Sequence, residues 1–359
     1  MKIVMTGNSD IVIYNFRLEL VERLLQDGHE VHVVAPYGPR IDILKELGIF
    51  FYDIDIERHG TNPFRDFMLI RKYYSVYKSI RPDMVFSYTI KPNLYGGIAC
   101  ELLKIPYIPN ITGLGTAVEI PGLVQKITLL LYKIAFRKVQ TVFVQNTENK
   151  QFLIKHSIAK DKLVLLPGSG VNLERFSLLE YLPRDTVEFA FISRIMKEKG
   201  IDQYIDAAKY IRKKYPQTRF HICGFCEQEY EQQLKELTDA GIVQYHGMVM
   251  DIRDILENIH CTIHPSYYPE GLSNTLLESA ARGKPLITTD RSGCREVIDD
   301  GVNGFICKQN DSQDLIKQIE KFLQMSWEDR RKMGIASREK VEKEFDRQFV
   351  VEKYVKELV

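Results

Sequence analysis

Two clusters in the second half of the chain combine charged residues and glycines at spacings that suit a phosphate-bearing ligand. In the first cluster, Arg194 and Lys199 follow an apolar run and precede an amphipathic one. An arginine offers a bidentate fork for phosphate, and a lysine offers a movable point charge. The pair therefore predicts a catalytic clamp that neutralises a diphosphate and the charge that builds on it as a bond to it breaks.

The second cluster holds two carboxylates eight positions apart, Glu270 and Glu278. Gly271 permits close approach of the backbone to a ligand, and Ser273 suits the cap of a helix whose free N–H groups attract phosphate. We expect Glu270 to act in catalysis by binding the hydroxyls of a sugar, and Glu278 to bind those of a ribose. The residues expected to bind this nucleotide-sugar donor are Glu278, Gly271, Leu272, Ser273, Asn274 and Thr275.

Three further motifs have competing interpretations. Cys223 and Cys226 form a C-x-x-C pair, but no second pair follows at zinc-site spacing, so we interpret both as ordinary thiols. Asp53 and Asp55 resemble a D-x-D metal motif, but their run of alternating polarity predicts a strand and a structural role. Gly113 begins an incomplete dinucleotide fingerprint, which argues against a nicotinamide enzyme. We predict neither a metal ion nor a cofactor.

The sequence also predicts the elements that position these clusters, because short apolar runs typical of strands alternate with amphipathic runs typical of helices. The first 35 residues have the pattern strand, helix, strand, which predicts a parallel sheet. The rhythm continues to residue 144, and a second series runs from 187 to 289 after a Pro/Gly-rich stretch at 165–172 that suits a hinge. The predicted fold class is α/β, with two doubly wound, Rossmann-like domains at 1–168 and 173–344 and a last helix, within 345–359, that packs back on the first domain. Ligands are expected at the carboxyl ends of the strands.

Charge is distributed unevenly, although the formal net charge is only +1. Residues 58–140 hold twelve Lys/Arg against four Asp/Glu, a net of +8, so an anionic ligand or surface is expected in the first domain. A helical pattern at 122–137 places Lys126, Lys133 and Arg137 in one stripe beside leucines and isoleucines, which suits an anionic membrane. An ordinary helix with snorkelling lysines is the alternative.

No apolar run approaches the ~20 residues that span a membrane, and no leader pattern opens the sequence. We therefore expect a cytoplasmic protein that lies peripherally on the inner face of the cell membrane. The small net charge gives no reason to expect a nucleic-acid partner.

The spacing from Glu270 to Glu278 matches the E-x7-E motif of the retaining glycosyltransferases of family 4, and Arg194 and Lys199 match their diphosphate clamp. The resemblance covers nearly the whole chain in the right order and includes 167–172, 245–247 and 292–296. It implies the GT-B fold, in which two Rossmann-like domains face each other across a cleft. It also implies metal-independent transfer with retention, by front-face attack on a donor that Arg194, Lys199 and the two glutamates position.

The first half is similar to a narrower group, the bacterial enzymes that build capsule, exopolysaccharide or glycan precursors. The similar segments are 14–17, Arg58 with 61–64, and 112–115. The likeness extends to N-acetylgalactosaminyltransferases that act on undecaprenyl-diphosphate-linked sugars. It implies that a hexose or N-acetylhexosamine moves from a UDP-sugar to a lipid-linked acceptor, for which Arg17, Arg58 and Lys91 are candidate ligands.

Many members of the family carry a histidine after the fourth strand of the first domain, whereas this chain has Thr112 to Thr116 there. We therefore expect backbone N–H groups at Gly113 and Gly115 to approach the donor instead. Gly224 and Val249 are expected beside the nucleotide. Two alternatives remain: a non-catalytic scaffold that binds a nucleotide-sugar, and an epimerase or phosphorylase of the same fold.

Overall fold

The computed structural model describes residues 1–57, 62–115, 118, 121–181, 183 and 185–358. The chain divides into two compact units. The first unit comprises Met1–Gly170, Pro269–Leu272 and Arg347–Val359, and the second comprises Val171–Tyr268 and Ser273–Asp346. The short segment Pro269–Leu272, which carries Glu270, thus groups with the first unit although its neighbours in sequence lie in the second.

The helices and strands follow one another in chain order. They are β1 (Lys2–Thr6), α1 (Asp10–Gln26), β2 (Glu30–Ala35), α2 (Arg40–Glu46), β3 (Phe50–Asp53), α3 (Pro63–Ile80), β4 (Met84–Tyr88), α4 (Gly97–Leu103), β5 (Tyr107–Ile111), α5 (Leu123–Ala135), β6 (Val142–Val144), α6 (Thr147–Lys155), β7 (Leu163–Leu165), β8 (Val187–Ile192), α7 (Ile201–Lys214), β9 (Thr218–Cys223), α8 (Glu231–Asp239), β10 (Gln244–Tyr245), α9 (Arg253–Asn258), β11 (Cys261–His264), α10 (Asn274–Ala281), β12 (Leu286–Thr289), β13 (Gly304–Cys307), α11 (Ser312–Gln324), α12 (Trp327–Glu344) and α13 (Arg347–Lys356).

Each unit is built on a parallel sheet. Among the described residues, the first unit has seven strands in the order β3-β2-β1-β4-β5-β6-β7, and the second has six in the order β10-β9-β8-β11-β12-β13. The direction of winding reverses between β1 and β4 in the first sheet and between β8 and β11 in the second. Such a reversal opens a crevice at the carboxyl ends of the strands, where ligands bind in doubly wound folds. The predicted α/β class with two Rossmann-like sheets is confirmed.

The inner strands are buried along nearly their whole length because helices cover both faces of each sheet. In β4, for example, all five residues from Met84 to Tyr88 are buried. Register across the first sheet pairs Ile3 with Val31 on one side and with Met84 on the other. Helix α1 turns a buried stripe of Ile13, Leu20 and Leu24 toward this core, as its apolar spacing predicts.

The last helix, α13, completes the core of the first unit. The Tyr354 ring packs edge-on against Phe86 at 4.9 Å and Phe143 at 4.7 Å between ring centroids. The Asn110 side-chain amide donates a 2.8 Å hydrogen bond to the Tyr354 hydroxyl. At the start of the helix, the Arg347 guanidinium lies 2.9 Å from the Glu19 carboxylate.

Several element bounds differ from those that the sequence predicts. The strand that the alternating run around Asp53 and Asp55 predicts ends at Asp53, whose carboxylate accepts a 3.0 Å hydrogen bond from the backbone N–H of Tyr37. A wider π-helical turn, Pro92–Gly96, which the sequence pattern does not distinguish from α-helix, leads directly into α4. Strands β7 and β13 and helix α6 were not predicted at all. Within the described residues, every helix is too short or too polar to cross a bilayer.

Candidate functional site

In the second unit, three strands end beside one another at the carboxyl edge of the sheet. The backbone N–H of Ser193, after β8, donates a 3.0 Å hydrogen bond to the carbonyl of Cys223, the last residue of β9. The N–H of Gly224 then donates at 2.8 Å to the carbonyl of Gly247, after β10. Gly224 has φ +148°, and a Cβ atom there would overlap with the Ser193 carbonyl oxygen. A side chain at 224 would therefore push away the loop that starts at Ser193.

The two cations of the predicted clamp converge on one aromatic ring. The Arg194 guanidinium carbon lies 5.3 Å from the centroid of the Tyr268 ring, and the Lys199 ammonium lies 4.8 Å from the same centroid. Lys199 is only 6% exposed, which is rare for a lysine unless its charge is compensated. A cation held over an aromatic face is stabilised by about 0.5–2 kcal/mol. The structure thus brings Arg194 and Lys199 together, five residues apart in sequence.

The loop that carries the two cations is fastened to the loop that carries Tyr268. The backbone N–H of Tyr267 donates a 2.9 Å hydrogen bond to the carbonyl of Glu198. Gly200 follows Lys199 with φ +82°, and a Cβ atom there would overlap with the carbonyl of Pro265. Glycine at 200 therefore permits both the left-handed turn and the close approach of the two loops.

Arg194 also has an acidic partner. Its guanidinium lies 3.3 Å from the carboxylate of Glu227, in the loop after β9, and the arginine side chain remains one-third exposed. An ion pair of this exposure is worth little by itself, so it leaves the guanidinium available to a phosphate at small cost. Sequence reasoning found neither Glu227 nor Tyr268 as a partner of the clamp.

Helix α10 begins at the same edge of the sheet. Ser273 occupies its N-cap position, as predicted, but the serine side chain makes no capping hydrogen bond to the described residues. The Ser273 backbone N–H donates a 2.7 Å hydrogen bond to the Gly293 carbonyl instead. The Thr275 hydroxyl donates at 3.2 Å to the carbonyl of Ile192, the last residue of β8. The first turn of α10, with its partial positive charge, is therefore tied directly to the strand that leads into Arg194.

The remaining donor candidates of the second unit lie around this helix start and the neighbouring strand ends. Glu278 is half-buried and lies one turn after Thr275 on the same side of α10. Asn274 is half-buried in the first turn. Val249 is half-buried in the loop after β10, between the exposed side chains of Met248 and Met250.

The Glu270 loop, defined as Pro269–Leu272, lies in the first unit. The Asn146 side-chain amide donates hydrogen bonds to two successive carbonyls of this loop, that of Glu270 at 2.9 Å and that of Gly271 at 2.6 Å. Gly113 faces the same loop, because a Cβ atom there would lie 3.2 Å from the Pro269 carbonyl and 3.3 Å from the Gly271 nitrogen. The left-handed backbone of Gly113 therefore serves the packing of the Glu270 loop.

Two further donor candidates of the first unit flank this region. Leu272 is buried, and its side chain would overlap with a Cβ atom placed on Gly168. Gly115 has φ +71° and lies next to the Ile90 side chain. The structure thus brings Glu270, Gly271, Leu272 and Gly113 together within the first unit.

The three residues predicted to bind the acceptor have different surroundings. Arg17 is 2% exposed, and its guanidinium lies 4.6 Å over the Tyr88 ring and donates a 2.5 Å hydrogen bond to the carbonyl of Phe16. Lys91 is mostly buried, and its ammonium lies 3.2 Å from the Asp66 carboxylate. Arg58 lies outside the described residues. The structure does not bring Arg17 and Lys91 into contact with each other through any hydrogen bond or ion pair of the described residues.

The C-x-x-C thiols are poorly suited to redox or metal chemistry. Burial raises the pKa of the Cys223 thiol to about 12, and burial also raises the pKa of the half-buried Cys226 thiol. Reactive cysteines and metal ligands need accessible thiolate, so neither residue is poised for that chemistry. Cys226 instead lies 3.6 Å from the Tyr245 hydroxyl.

Two parallel, doubly wound sheets, one in each unit, define the GT-B fold class, and a cation pair lies beside a helix start at the carboxyl edge of the second sheet. The family model described as "Glycosyl transferases group 1" matches residues 180–340, and the model described as "Glycosyl transferase 4-like" matches residues 2–146. The chain therefore belongs to the glycosyltransferases, with a group 1 second half and a family-4-like first half. It is an enzyme of sugar transfer.

Two curated relatives match this chain over nearly the whole length of both proteins. One is the N,N'-diacetylbacillosaminyl-diphospho-undecaprenol alpha-1,3-N-acetylgalactosaminyltransferase of Campylobacter jejuni, which is 25% identical over 99% of this chain and 98% of its own. Another is the capsular polysaccharide biosynthesis glycosyltransferase CapM of Staphylococcus aureus, 26% identical over 92% of this chain and 90% of its own.

Solved structures share the fold. The Anabaena protein HepE in complex with UDP and glucose superimposes with a TM-score of 0.82 at 16% identity, over 100% of this chain and 99% of its own. A glycosyltransferase from Rickettsia africae superimposes with a TM-score of 0.80 at 20% identity, over 99% of this chain and 97% of its own. At such identities these likenesses bear on the fold alone.

Proposed function

We propose that this glycosyltransferase moves a hexose or N-acetylhexosamine from a UDP-sugar to a polyprenyl-diphosphate-linked sugar during assembly of a bacterial surface polysaccharide or glycan. The observation that carries the proposal is the convergence of Arg194 and Lys199 on Tyr268. Two cations at one point, next to the start of α10, form a receptor for a leaving diphosphate. The choice of UDP is supported by an Escherichia coli relative that is named for a UDP-Gal donor and by the UDP bound to the fold neighbour HepE.

In the proposed reaction the donor's anomeric configuration is retained. The acceptor hydroxyl attacks from the face that the diphosphate leaves, and a phosphate oxygen takes its proton. Arg194 and Lys199 stabilise the charge that develops on that phosphate, while Glu270 orients the sugar and Glu278 the ribose. Catalysis then depends on positioning and electrostatics, and the side chains invoked require neither a metal ion nor a cofactor.

The proposal of a lipid-linked acceptor draws on the names of relatives and on the charge of the first unit. The C. jejuni relative acts on a diphospho-undecaprenol-linked sugar, and an Escherichia coli relative, 25% identical over 84% of this chain, is named for a diphosphoundecaprenol-linked acceptor as well. The basic excess of residues 58–140 suits such a diphosphate. Arg58 and Lys91 are the proposed contacts, whereas Arg17 is buried with its guanidinium over the Tyr88 ring.

A peripheral position on the inner face of the cell membrane would bring the enzyme to such an acceptor. Helix α5 presents an exposed apolar row in which Leu123 is 74% and Leu130 57% exposed, with Ile127 between them. Lys126 and Lys133 are exposed on the same helix. Exposed apolar side chains flanked by cations favour insertion into an anionic bilayer surface over plain solvent exposure.

The experiment is a donor screen with the full-length chain. UDP-, GDP- and ADP-sugars are supplied with and without a polyprenyl-diphosphate-linked sugar, and released nucleotide and product configuration are measured. We expect UDP release that depends on acceptor, unchanged turnover in a metal chelator, and a product with the donor's configuration. Lys199→Ala is expected to lower turnover roughly 100-fold, whereas Lys197→Ala, exposed on the same turn, should not.

Three outcomes would contradict the proposal. Binding of a UDP-sugar without release of UDP under any condition indicates a scaffold. Conversion of the sugar while it stays attached to UDP indicates an epimerase. Inversion at the anomeric carbon leaves the transfer but removes the front-face mechanism.

A further inference from the structure

Asn146 lies at the junction of β6 and α6 in the first unit and is only 2% exposed. Its side-chain oxygen accepts a 2.8 Å hydrogen bond from the backbone N–H of Asn149, so it is the N-cap of α6. Asparagine, aspartate and serine cap a helix about equally well. Capping alone therefore does not require asparagine at this position.

The nitrogen atom of the same side-chain amide binds a different segment of the chain. The Asn146 side-chain nitrogen donates at 2.9 Å to the carbonyl of Glu270 and at 2.6 Å to that of Gly271. Among the three good caps, only asparagine offers an amide N–H group beside the capping oxygen. A single side chain thus joins the rigid start of α6 to the backbone of the residue proposed to orient the donor sugar.

The surrounding backbone leaves the Glu270 loop little freedom. A Cβ atom on Gly271 would overlap with the Gln145 side-chain oxygen and with the Thr112 carbonyl. On the other side, Gly113 approaches Pro269 and Gly271 closely enough that a Cβ atom there would lie 3.2 Å from the Pro269 carbonyl. The loop therefore packs between the residues that follow β5 and β6, and the Asn146 amide binds two of its carbonyls in that position.

We propose that Asn146 is a positioning residue that fixes the direction of the Glu270 carboxylate by binding the two carbonyls of its loop. The proposal rests on the proposed function, because Glu270 is there the residue that orients the donor sugar. Asn146 acts through Glu270 and not on the diphosphate, which Arg194 and Lys199 hold. Loss of the amide donor should therefore lower turnover and leave the affinity for UDP unchanged.

The test uses two substitutions that keep the cap. Asn146→Ser retains a capping oxygen but lacks the amide donor, and Asn146→Asp places a second oxygen against two carbonyl oxygens. We expect kcat to fall about tenfold for serine and further for aspartate, because a buried donor is lost and then replaced by a repulsive acceptor. The dissociation constant of UDP should stay within about twofold of the wild-type value, because UDP lacks the sugar that Glu270 is proposed to orient. Asp311→Ser, at the N-cap of α11, is the matched control for a changed cap.

A double-mutant cycle with Glu270→Gln decides whether the effect passes through Glu270. If it does, Asn146→Ser lowers kcat much less in the Glu270→Gln background than in the wild type. Full additivity, an unchanged kcat in Asn146→Ser, or an equal loss of UDP affinity would overturn the inference. If Glu270→Gln alone leaves transfer intact, the role given to Glu270 in the proposed function fails instead, and the two failures are thereby distinguished.

Discussion

At the scale of single residues, Tyr268 is the feature that makes the two cations of the clamp one site. A buried ammonium loses the favourable free energy of its hydration. Contact with an aromatic face compensates part of that free energy without adding a negative charge. The ring therefore holds the guanidinium of Arg194 and the ammonium of Lys199 near each other, at the site proposed for the diphosphate.

The first prediction concerns this ring. Tyr268→Leu should lower kcat and weaken UDP binding together, by roughly tenfold in kcat/KM, because a cation–π contact is worth about 0.5–2 kcal/mol and two cations share the ring. Tyr268→Phe keeps the aromatic face and should retain most of the activity. Steady-state kinetics and UDP titration measure both effects. Equal losses in the two variants would mean that the hydroxyl, and not the ring, is the functional part.

At the scale of elements, the sequence predicts what local spacing determines. Strands such as β8 and β9 can be predicted, because in each a mostly apolar run ends where a polar residue or a glycine follows, Ser193 after β8 and Gly224 after β9. Strands β7 and β13 were not predicted, because β7 runs into the Pro/Gly-rich stretch at 165–172 and β13 begins with a glycine. Helix α6 escaped because its polar residues Thr147 to Lys150 hide the short apolar face that follows.

The contacts that assemble the site were harder to predict because they join distant parts of the chain. Asn146 reaches Glu270 across 124 positions, and Tyr268 reaches Arg194 across 74. No periodic pattern records such a pairing. The one local signal was the polar pair Gln145–Asn146, placed directly after a buried strand where ligands and loops meet at the edge of a sheet.

The second prediction concerns the turn at Gly224, which lets the loop that carries Arg194 and Lys199 approach the end of β9. Gly224→Ala should lower turnover and reduce stability by about 1–3 kcal/mol, because the new methyl group overlaps with the Ser193 carbonyl next to Arg194. Gly241→Ala is the matched control, since Gly241 also has positive φ but a Cβ atom added there would meet nothing within 4 Å. Thermal unfolding and kinetics are compared for both. A larger loss of activity in the Gly241 variant would contradict the argument from close approach.

The third prediction concerns helix α5 as a membrane surface. Reversing the charge of Lys126 and Lys133 to glutamate should abolish flotation with anionic vesicles, and replacing Leu123 and Ile127 by serine should weaken it, because charge and apolar area act together. Raised salt should weaken binding of the wild type. The control is the double reversal of Lys209 and Lys213, exposed on α7 of the second unit. Equal binding of the wild type to neutral and anionic vesicles would contradict the prediction.

At the scale of the whole molecule, the segment Arg347–Val359 packs with the first unit although the residues before it belong to the second. Helix α13 supplies Tyr354 to a core in which its aromatic partners, Phe86 and Phe143, lie more than 200 residues earlier. The first unit is therefore incomplete until the last segment has been synthesised and packed. Interactions that join distant sequence positions cost loop-closure entropy before they add stability, so the first unit should depend on α13 more than its length suggests.

The fourth prediction follows from that dependence. Tyr354→Ala should lower the free energy of unfolding of the first unit by about 3–5 kcal/mol, because it empties a buried aromatic site and leaves the Asn110 amide without its acceptor. Tyr354→Phe should cost far less, since only the hydrogen bond is lost. Phe349→Ala is the matched control, because Phe349 is 43% exposed on the same helix. Hydrogen exchange measured separately for peptides of β4 and β8 during urea titration follows each unit. Loss of protection in β4 with β8 unchanged is the expected result, whereas an equal loss in both strands would mean that α13 stabilises the molecule as a whole and not the core of the first unit.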